Sequence, residues 1–216
     1  ESELKKVLQR YPDTTLFITQ GFICTNDKGE VDNLKRGGSD YSASLIGAAI
    51  NADVVEIWTD IDGIHNNDPR IVKNTHPIAE MSFDEAAELA YFGAKILHPS
   101  TVLPAKVKNI PVLLKNTMEP HAKGTTISNK VTGTGIKAIA AKDGLTAIKI
   151  KSGRMLLAYG FLCRVFEIFE KYKTPIDLIT TSEVALSLTI DKVDYLAQIT
   201  DEHKKLGTVE IDKDQT

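Results

Sequence analysis

The chain has little of several features that would restrict its function class. Its 216 residues include only two cysteines, Cys24 and Cys163, which lie far apart with no CxxC partner. This pattern argues against a disulfide scaffold and a zinc site, and it suits a reducing compartment. No apolar run approaches membrane-spanning length, and no signal peptide is recognisable. We therefore expect a soluble, cytoplasmic protein that does not bind membranes.

The chain also lacks an excess of charge of one sign. Its 26 lysines and arginines against 29 acidic residues give a formal net charge of -3. We therefore expect no nucleic-acid partner, and any anion must be held by local geometry. The five histidines share no ligand spacing, so we predict no metal site. No nucleophile–base pair stands out, which suits a reaction catalysed by positioning and charge.

Both ends of the sequence read as interrupted elements. The chain starts, without an initiator Met, in ESELKKVLQR, which has the pattern of the end of an amphipathic helix. It stops at TVEIDKDQT, in or just after a predicted strand. The length suits one large domain or two modest ones. We expect a fragment of a longer protein.

Strand and helix patterns alternate as far as residue 128, which predicts an α/β layered sheet. Ser82 and Glu85 have the spacing of a capping box at the start of one helix, and Gly93 has the position of its stop. A second, proline-limited helix is predicted in ILHPSTVLPAKVKN. The other predicted elements are strands at 14–23, 53–58 and 110–116, a helix at 40–51, and a surface hairpin or loop at 25–34.

The segment KVTGTG, residues 130–135, is rich in glycine and threonine and has no large apolar residue except Val131. This composition predicts an interdomain linker. After it, from about Gly144, the patterns follow the order β-α-β-β-α-β of a ferredoxin-like domain. VALSLTI (184–190) alternates apolar and polar residues, as a half-buried antiparallel strand does.

RGGSD, residues 36–40, stands directly before the helix predicted at 40–51. Two glycines let the backbone approach a ligand, and a helix N-terminus offers N–H groups to an anion. Arg36 adds a fork of donors suited to a carboxylate or phosphate, and Asp40 could orient cationic groups at the anion. Alternatively, this is an ordinary glycine turn in which Ser39 caps the helix.

Two further positions suit a bound nucleotide. Thr59 and Asp60 follow a predicted parallel strand, and ligands of open α/β sheets bind beyond such strand ends. Lys95, in FGAKILHP, could be a point charge for a phosphate chain. The alternatives are a plain polar pair after the strand and a solvated cation near the carbonyl end of a helix.

Together these segments resemble the aspartokinase family, in its monofunctional, lysine-sensitive type. The matching stretches are, in order, FITQGFI, RGGSDYSASLIGAAINAD, IWTDIDGI, DPR, FGAKILHP, IPV, GTTIS and DLITTSEV. The resemblance implies the C-terminal, nucleotide-binding part of an amino-acid-kinase (carbamate-kinase-like) α/β/α sheet at 1–129. It further implies a linker at 130–143 and a ferredoxin-like βαββαβ ACT regulatory domain at 144–216.

The same resemblance implies an activity and a role for each matched residue. The family transfers the γ-phosphoryl group of MgATP to the side-chain carboxylate of L-aspartate. The product is 4-phospho-L-aspartate, and this is the first step toward lysine, threonine and methionine. The implied substrate-binding residues are Arg36, Gly37, Gly38 and Ser39, and the implied catalytic residues are Asp40 and Lys95. The implied contacts to ATP are Thr59, Asp60, His65, Arg70 and Lys95, with His65 where similar enzymes place a tyrosine near the adenine.

In the second domain the resemblance implies an amino-acid effector, lysine, and pairing of ACT domains into a homodimer or higher homo-oligomer. The implied effector contacts are Met155, Ala158, Thr181, Ser182, Glu183 and Val184. Ala158 stands where lysine-sensitive relatives often have a serine.

Two features of the family pattern are not found in this sequence. The N-terminal lysine-phenylalanine-glycine-glycine phosphate motif and the second ACT repeat are absent, so we expect no turnover by this polypeptide alone. One alternative function is another amino-acid kinase, acting on glutamate or acetylglutamate. Another is a non-catalytic amino-acid-sensing ACT module with a vestigial nucleotide lobe. A fusion to homoserine dehydrogenase also remains open.

Overall fold

The computed structural model describes residues 2–35, 37–91, 101–130, 133, 135–153, 155 and 159–216. The chain divides into two compact units, Glu1–Ala140 (the first unit) and Ala141–Thr216 (the second unit). The division falls inside the segment 130–143 that the sequence predicts as a linker; the domain boundaries themselves stay a prediction. Among the described residues, no helix combines the length and the apolar character needed to cross a membrane.

The first unit is built on a mixed, four-stranded sheet in the order β3-β5-β6-β4. Strands β3 and β5 are parallel, as are β4 and β6, whereas β5 and β6 are antiparallel. A separate hairpin, β1–β2, precedes the sheet. The elements are α1 Ser2–Arg10, β1 Ile23–Thr25, β2 Val31–Asn33, α2 Gly38–Ile50, β3 Val55–Thr59, β4 Glu80–Ser82, α3 Phe83–Tyr91, α4 Leu103–Val107, β5 Val112–Asn116 and β6 Thr125–Ser128.

Alternation along the strands places one face of this sheet in the core. Val55 and Ile57 of β3, Val112 and Leu114 of β5, and Ile127 of β6 are all buried there. The helix at the start of the chain, the hairpin after residue 22, the helix near 40–51 and the strands near 53–58 and 110–116 are confirmed. The proline-limited helix is confirmed for Leu103–Val107, while Gly93 and residues 92–100 lie outside the described residues.

The strand predicted at 14–23 is wrong for all but its last residue, Ile23. Residues 14–22 form neither helix nor strand, and Leu16 and Ile18 are 74% and 91% exposed. A strand needs a neighbour to pair its backbone N–H and C=O groups, because β-propensity alone is a weak and context-dependent preference. None of the described strands pairs with this segment.

The capping box predicted at the start of α3 is present. The backbone N–H of Ser82 donates to Oε2 of Glu85 (2.7 Å), and the N–H of Glu85 donates to Oγ of Ser82 (3.1 Å). The hydrogen bond from the Ser82 backbone, helped by Lys137, holds the pKa of Glu85 below its ordinary value. The local sequence therefore determines where α3 begins.

We expect a Ser82→Ala variant to lose about 1 kcal/mol of first-unit stability, because the hydroxyl acceptor of the helix cap is removed. Urea unfolding followed by the fluorescence of Trp58, the single tryptophan of the chain, measures this loss in the first unit. Ser82→Thr keeps a hydroxyl and serves as the control. Equal stability of the alanine variant and the wild type would contradict the role of the cap.

The second unit is an antiparallel, four-stranded sheet in the order β10-β7-β9-β8, with the predicted β-α-β-β-α-β sequence of elements. Leu186, Leu188 and Ile190 of β9 are buried at alternate positions, so the predicted alternation is confirmed. They pack with Phe161 and Val165 of the first helix of this unit. The elements are β7 Leu145–Lys151, α5 Phe161–Lys171, β8 Ile179–Thr181, β9 Ala185–Ile190, α6 Leu196–His203 and β10 Thr208–Gln215.

Helices α5 and α6 are joined by polar contacts at the surface and by an imidazole beneath it. Oε1 of Glu202 accepts hydrogen bonds from Nζ of Lys171 (2.5 Å) and the hydroxyl of Tyr172 (2.6 Å). His203 is fully buried. Its ring lies 4.9 Å from that of Phe169, and its Nε2 lies 3.2 Å from the carbonyl oxygen of Val165. One of the five histidines is thus a core residue.

Candidate functional site

The first helix turn of α2 carries two of the glycines predicted to bind a ligand. Gly37 is the N-cap residue, with the left-handed angles φ 72° and ψ 15°, and no side chain caps the helix. Ser39 is already inside the helix and is exposed, so the alternative in which Ser39 is the N-cap is wrong. The N–H of Gly38 donates to the carbonyl of Lys35 (3.1 Å), so this group is satisfied within the protein, and only the later N–H groups of the first turn are left for water or a ligand.

A second segment packs against this turn at close range. A Cβ atom on Gly38 would lie 2.8 Å from Cβ of Leu34 and 2.9 Å from Cδ2 of Phe22. A Cβ on Gly21 would lie 3.3 Å from Cα of Ser39. Gly38 and Gly21 thus allow the segment before β1 to approach the start of α2.

Ser42 joins the two segments. Its Oγ accepts a hydrogen bond from the backbone N–H of Phe22 (3.2 Å) and donates one to the carbonyl of Gly38 (2.9 Å). We call residues 37–42 together with Gly21 and Phe22 the glycine turn. No motif singles out Gly21 or Ser42. The available signal is that both lie in segments, FITQGFI and RGGSDYSA, that carry the family resemblance.

Asp40 lies in the first turn of α2 and is half-buried. Burial raises the pKa of its carboxyl group above the ordinary value, because the charged form loses water. The helix N-terminus acts in the opposite sense and favours the carboxylate. Arg36 and Lys95, which the sequence predicts beside Asp40, lie outside the described residues.

A second set of polar groups lies where two parallel strands end. Thr59 ends β3 and is in register with Asn116 at the end of β5. Oγ1 of Thr59 donates to Oδ1 of Asp60 (3.0 Å), and its carbonyl accepts the N–H of Thr117 (2.8 Å). Asn116 is buried, and its Oδ1 accepts the N–H of Met118 (2.9 Å). We call Thr59, Asp60 and Asn116 the strand-end group.

Helix α2 lies directly over β3. A Cβ on Gly47 would lie 2.6 Å from Cγ2 of Val55, so only glycine allows the helix to sit this close to the strand. The glycine turn and the strand-end group are thus carried by two elements that pack against each other.

His65, in the loop after β3, is held at both ring nitrogens. Its Nε2 lies 2.7 Å from Oδ1 of Asp62, and its Nδ1 lies 2.8 Å from Oγ1 of Thr75. Asn66 pairs with His76 through its backbone N–H (3.1 Å) and its side-chain oxygen (3.0 Å). The edge of the His65 ring is therefore occupied within the protein, and its faces are the surfaces left for a ligand.

Arg70 lies further along the same loop and is 70% exposed. Its guanidinium grips the Asp68 carboxylate, with Nη2 2.6 Å from Oδ2 and Nε 3.0 Å from Oδ1. The hydrogen bonds and charge of Asp68 raise the pKa of Arg70 above its ordinary value. A phosphate at Arg70 would therefore have to exchange with, or add to, this internal pair.

One buried hydroxyl holds both ends of the loop. Oγ1 of Thr125, in β6, accepts the N–H of Ile64 (2.8 Å) and donates to the carbonyl of Ile78 (2.7 Å). Thr125 is fully buried. We call the segment it organises the 60–78 loop. Its role is visible only in the tertiary structure, because a threonine in GTTIS carries no such signal in sequence.

In the second unit, four of the predicted effector residues lie at the end of β8 and in the turn that leads to β9. The N–H of Ser182 donates to the carbonyl of Ala185 (2.8 Å), and the N–H of Ala185 donates to Oγ of Ser182 (3.1 Å). Thr181, the last residue of β8, is exposed, and so are Ser182, Glu183 and Val184, which follow it. We call these four residues the 181–184 turn.

Met155 is linked to this turn by two backbone hydrogen bonds that run through Ser152. Its N–H donates to the carbonyl of Ser152 (3.0 Å), and the N–H of Ser152 donates to the carbonyl of Val184 (2.9 Å). Met155 also packs against the apolar core of the second unit. Ala158 lies outside the described residues.

The fold and these groups define a class of protein: an α/β domain with a glycine turn at a helix start, followed in the chain by a ferredoxin-like unit. Residues 1–116 match the amino acid kinase family. The chain is 46% identical over 177 residues to lysine-sensitive aspartokinase 3 of Escherichia coli, which covers 82% of the chain and 39% of that protein. It is 41% identical over 211 residues to the chloroplastic aspartokinase 3 of Arabidopsis thaliana, covering 92% of the chain and 38% of that protein. The chain belongs to the amino acid kinase family, and within it to the aspartokinases.

Solved structures give the same assignment of fold. E. coli aspartokinase III, in complex with lysine and aspartate, matches 97% of the chain with a TM-score of 0.78 and 42% identity. The same enzyme has been solved in complex with aspartate and ADP, and it matches with a TM-score of 0.78. The aspartate kinase of Clostridium acetobutylicum matches 98% of the chain with a TM-score of 0.85 and 32% identity. The chain spans 48% of the first of these and 51% of the last.

Proposed function

We propose that the protein containing this chain is an aspartate kinase, which transfers the γ-phosphoryl group of MgATP to the side-chain carboxylate of L-aspartate. The product would be 4-phospho-L-aspartate. The observation that carries the proposal is the glycine turn, where an uncapped helix start, two glycines and a half-buried carboxylate come together. An uncapped helix start attracts a carboxylate substrate.

The substrate residues are those of RGGSD. Ser39 presents an exposed hydroxyl in the first turn of α2, where it can donate a hydrogen bond to a substrate carboxylate. Arg36 would add a bidentate pair to the same kind of group. Gly37 would let a ligand approach the start of α2 without a side chain in the way, whereas Gly38 makes room for Leu34 and Phe22.

The nucleotide residues are Thr59, Asp60, His65, Arg70 and Lys95. Thr59 and Asp60 lie at the ends of parallel strands, where nucleotides bind in open α/β sheets. His65 would offer a ring face to the base, because both of its nitrogens are already bonded to Asp62 and Thr75. Arg70 and Lys95 would contact the phosphates.

The chemistry requires charge neutralisation more than covalent catalysis. A carboxylate nucleophile and a polyphosphate repel each other, so cationic groups must stabilise the transferring phosphoryl group. Asp40 would position such cationic groups, including Lys95. Among the described residues no three His, Cys, Asp or Glu side chains group closely enough to hold a metal ion. Mg²⁺ typically binds through nucleotide phosphates and waters, so we assign it no protein ligand.

The second unit would bind an amino-acid effector, lysine, at Met155, Ala158 and the 181–184 turn. The hydrogen bonds that run from Met155 through Ser152 to Val184 support a shared site for these residues. β8 is an edge strand of its sheet, with Ile179 48% exposed and Val184, beside it, 49% exposed. This edge supports self-association into a homodimer or higher homo-oligomer. The free cysteines Cys24 and Cys163 support a cytoplasmic location.

Two serines of the glycine turn provide the test. In the complete gene product, we expect Ser39→Ala to raise the KM for L-aspartate about tenfold, the loss of one hydrogen bond to a charged group. Its stability should stay within about 0.5 kcal/mol of the wild type, because the side chain is exposed. Ser42→Ala is the matched comparison. It should lower stability by about 1–2 kcal/mol, since Phe22 and Gly38 lose their partner.

The readout is ATP-dependent phosphorylation of L-aspartate, with urea unfolding measured on the same samples. An unchanged KM in Ser39→Ala would remove Ser39 from the substrate site. Turnover with glutamate or acetylglutamate instead of aspartate would favour another amino-acid kinase. Binding of lysine without any turnover would favour the sensing module.

A further inference from the structure

Asn116, at the end of β5, is a buried carboxamide beside the proposed nucleotide residues. It is in register with Thr59, at the end of the parallel strand β3. Val112 and Leu114 of β5 are buried in the core, and alternation along the strand puts Asn116 on the same face of the sheet. Only 9% of Asn116 is exposed. Its side chain therefore lies at the carboxyl end of the sheet, where ligands of open α/β folds bind.

One hydrogen bond determines which end of this amide is available to a ligand. Oδ1 of Asn116 accepts the N–H of Met118 (2.9 Å), so the oxygen is used by the turn that follows the strand. Within the part of the chain that the structure describes, no group accepts a hydrogen bond from Nδ2 of Asn116. A donor at a nearly buried position is costly to leave without an acceptor. The arrangement therefore favours a ligand that accepts a hydrogen bond from Nδ2.

A carboxylate lies at the end of the neighbouring strand. Asp60 directly follows β3, and its Oδ1 accepts the hydroxyl of Thr59 (3.0 Å), which holds the carboxylate beside that residue. Asp60 is exposed, and no described residue donates to its Oδ2. Thr59 is the register partner of Asn116, and neighbouring strands lie about 4.8 Å apart. The two strand ends thus present an acceptor and a donor next to each other.

The nearest cation along β5 is engaged on the other face of the sheet. Nζ of Lys115 lies 5.1 Å from the centre of the Trp58 ring. Alternation puts Lys115 and Trp58 on the face opposite to Asn116 and Thr59. A phosphate group offers only acceptors, and at this position it would meet the negative charge of Asp60. The strand-end group is therefore poorly suited to a phosphate.

A ribose suits the same two groups, because each hydroxyl both donates and accepts a hydrogen bond. We propose that Asn116, together with Asp60, binds the ribose hydroxyls of the nucleotide and makes the site selective for ribonucleotides. One hydroxyl donates to Oδ2 of Asp60, and its neighbour accepts from Nδ2 of Asn116. An acidic side chain binds a ribose hydroxyl in dinucleotide-binding folds as well. This inference rests on the proposed function, since it names the part of ATP that the strand-end group recognises.

The test compares ADP with 2′,3′-dideoxy-ADP, which lacks both hydroxyls, by calorimetry on the complete gene product. Asn116→Ser keeps a side-chain oxygen that can accept the N–H of Met118, and it removes the Nδ2 donor. Asn26→Ser is the matched control. Oδ1 of Asn26 accepts the N–H of Lys28 (2.9 Å), which is the same spacing of two residues, in the β1–β2 hairpin. The readout is the ratio of the two dissociation constants, which a merely structural role of Asn116 would not change.

We expect the wild type to bind ADP at least about tenfold more tightly than 2′,3′-dideoxy-ADP, because the analogue makes neither hydrogen bond. In Asn116→Ser this ratio should fall by about two- to tenfold, the effect of one neutral hydrogen bond. The dissociation constant for 2′,3′-dideoxy-ADP should stay within about twofold of the wild-type value. Asn26→Ser should keep the wild-type ratio. Asp60→Asn changes the other half of the pair and should also lower the ratio, which provides a second test if Asn116→Ser does not fold.

The outcomes separate this inference from the proposed function. Equal binding of ADP and 2′,3′-dideoxy-ADP by the wild type would overturn the inference. A wild-type ratio in Asn116→Ser would do the same, since Asn116 would then serve only the turn at Met118. An unchanged ratio in Asp60→Asn would also count against it. In each case the kinase proposal stands if the wild type phosphorylates L-aspartate. If it does not, the proposed function fails, while a ribose-dependent ratio that Asn116→Ser lowers would still support the contact.

Discussion

Gly124→Ala is expected to lower the stability of the first unit by about 2–5 kcal/mol, from a steric clash added to backbone strain. A Cβ atom at this position would lie 1.9 Å from the carbonyl oxygen of Leu114 and 3.0 Å from its carbon. The residue also has φ +71°, where an L side chain is strained. The atom it would strike belongs to the backbone of β5, so no side-chain rotation can relieve the contact.

The consequence of Gly124→Ala reaches the candidate site. Gly124 precedes Thr125, which pairs with Leu114 across β5 and β6. Displacing Thr125 would withdraw its hydroxyl from both Ile64 and Ile78. We therefore expect faster hydrogen exchange at the N–H of Ile64, in addition to a lower urea midpoint followed by the fluorescence of Trp58.

Gly29→Ala is the matched control for Gly124→Ala. Gly29 has φ +79° in the turn of the β1–β2 hairpin, and no atom lies within 4 Å of a Cβ built there. It should lose only the backbone term, about 1–2 kcal/mol. Similar losses in the two variants would mean that the left-handed backbone, and not the contact with Leu114, determines the effect.

The second large effect is expected at acid pH, from His203. Its imidazole is fully buried, and burial lowers its pKa below the ordinary value because the charged form would lose water. The hydrogen bond to the carbonyl of Val165 and the charge of Glu202 act in the opposite, raising sense. Glu202 stays ionised through this range, since Lys171 and Tyr172 hold its pKa below the ordinary value.

The sign follows from comparing the two states of the second unit. The unfolded chain takes up a proton near the ordinary histidine pKa of about 6.5, whereas the folded unit does so only at lower pH. The stability that His203 contributes is therefore fully present above about pH 6.5 and is lost as the pH falls toward the lowered folded pKa. Within that window the slope contributed by this group approaches about 1.4 kcal/mol per pH unit.

Hydrogen exchange of the core amides of β7 and β9 between pH 7.5 and 5 measures this loss, after correction for the intrinsic pH dependence of exchange. His203→Gln removes the titrating group and keeps an N–H donor for Val165, so the acid-dependent part should shrink. His121→Gln, at an exposed histidine of the first unit, should leave it unchanged. An identical pH dependence in His203→Gln and the wild type would show that other groups cause the acid sensitivity.

Much of the architecture could be predicted because it is local. The spacing of Ser82 and Glu85 marks the start of α3, and the alternation in VALSLTI marks a half-buried strand, since each pattern depends on neighbours in sequence. The predicted strand at 14–23 failed because its composition supplies β-propensity but no partner. Whether such a segment becomes a strand is decided by what lies beside it.

The residues of the candidate site also fall into two groups, those that local sequence identifies and those that matter through distant contacts. The glycines, Ser39 and Asp40 of RGGSD could be identified from a short motif, because the geometry of a helix start is local. Ser42, Asn116 and Thr125 could not, since each matters through a partner that lies on another part of the chain.

By itself the sequence determined the start of α3, the ferredoxin-like pattern of the second unit and the position of the glycine turn. These properties depend on periodicity, capping and turn residues, which act over a few neighbouring positions. Only the tertiary structure decided that Thr125 holds the 60–78 loop, that Lys137 pairs with Glu85 and that Lys142 pairs with Asp191. Such contacts join residues 35 to 61 positions apart, and composition carries no information about which distant groups will meet.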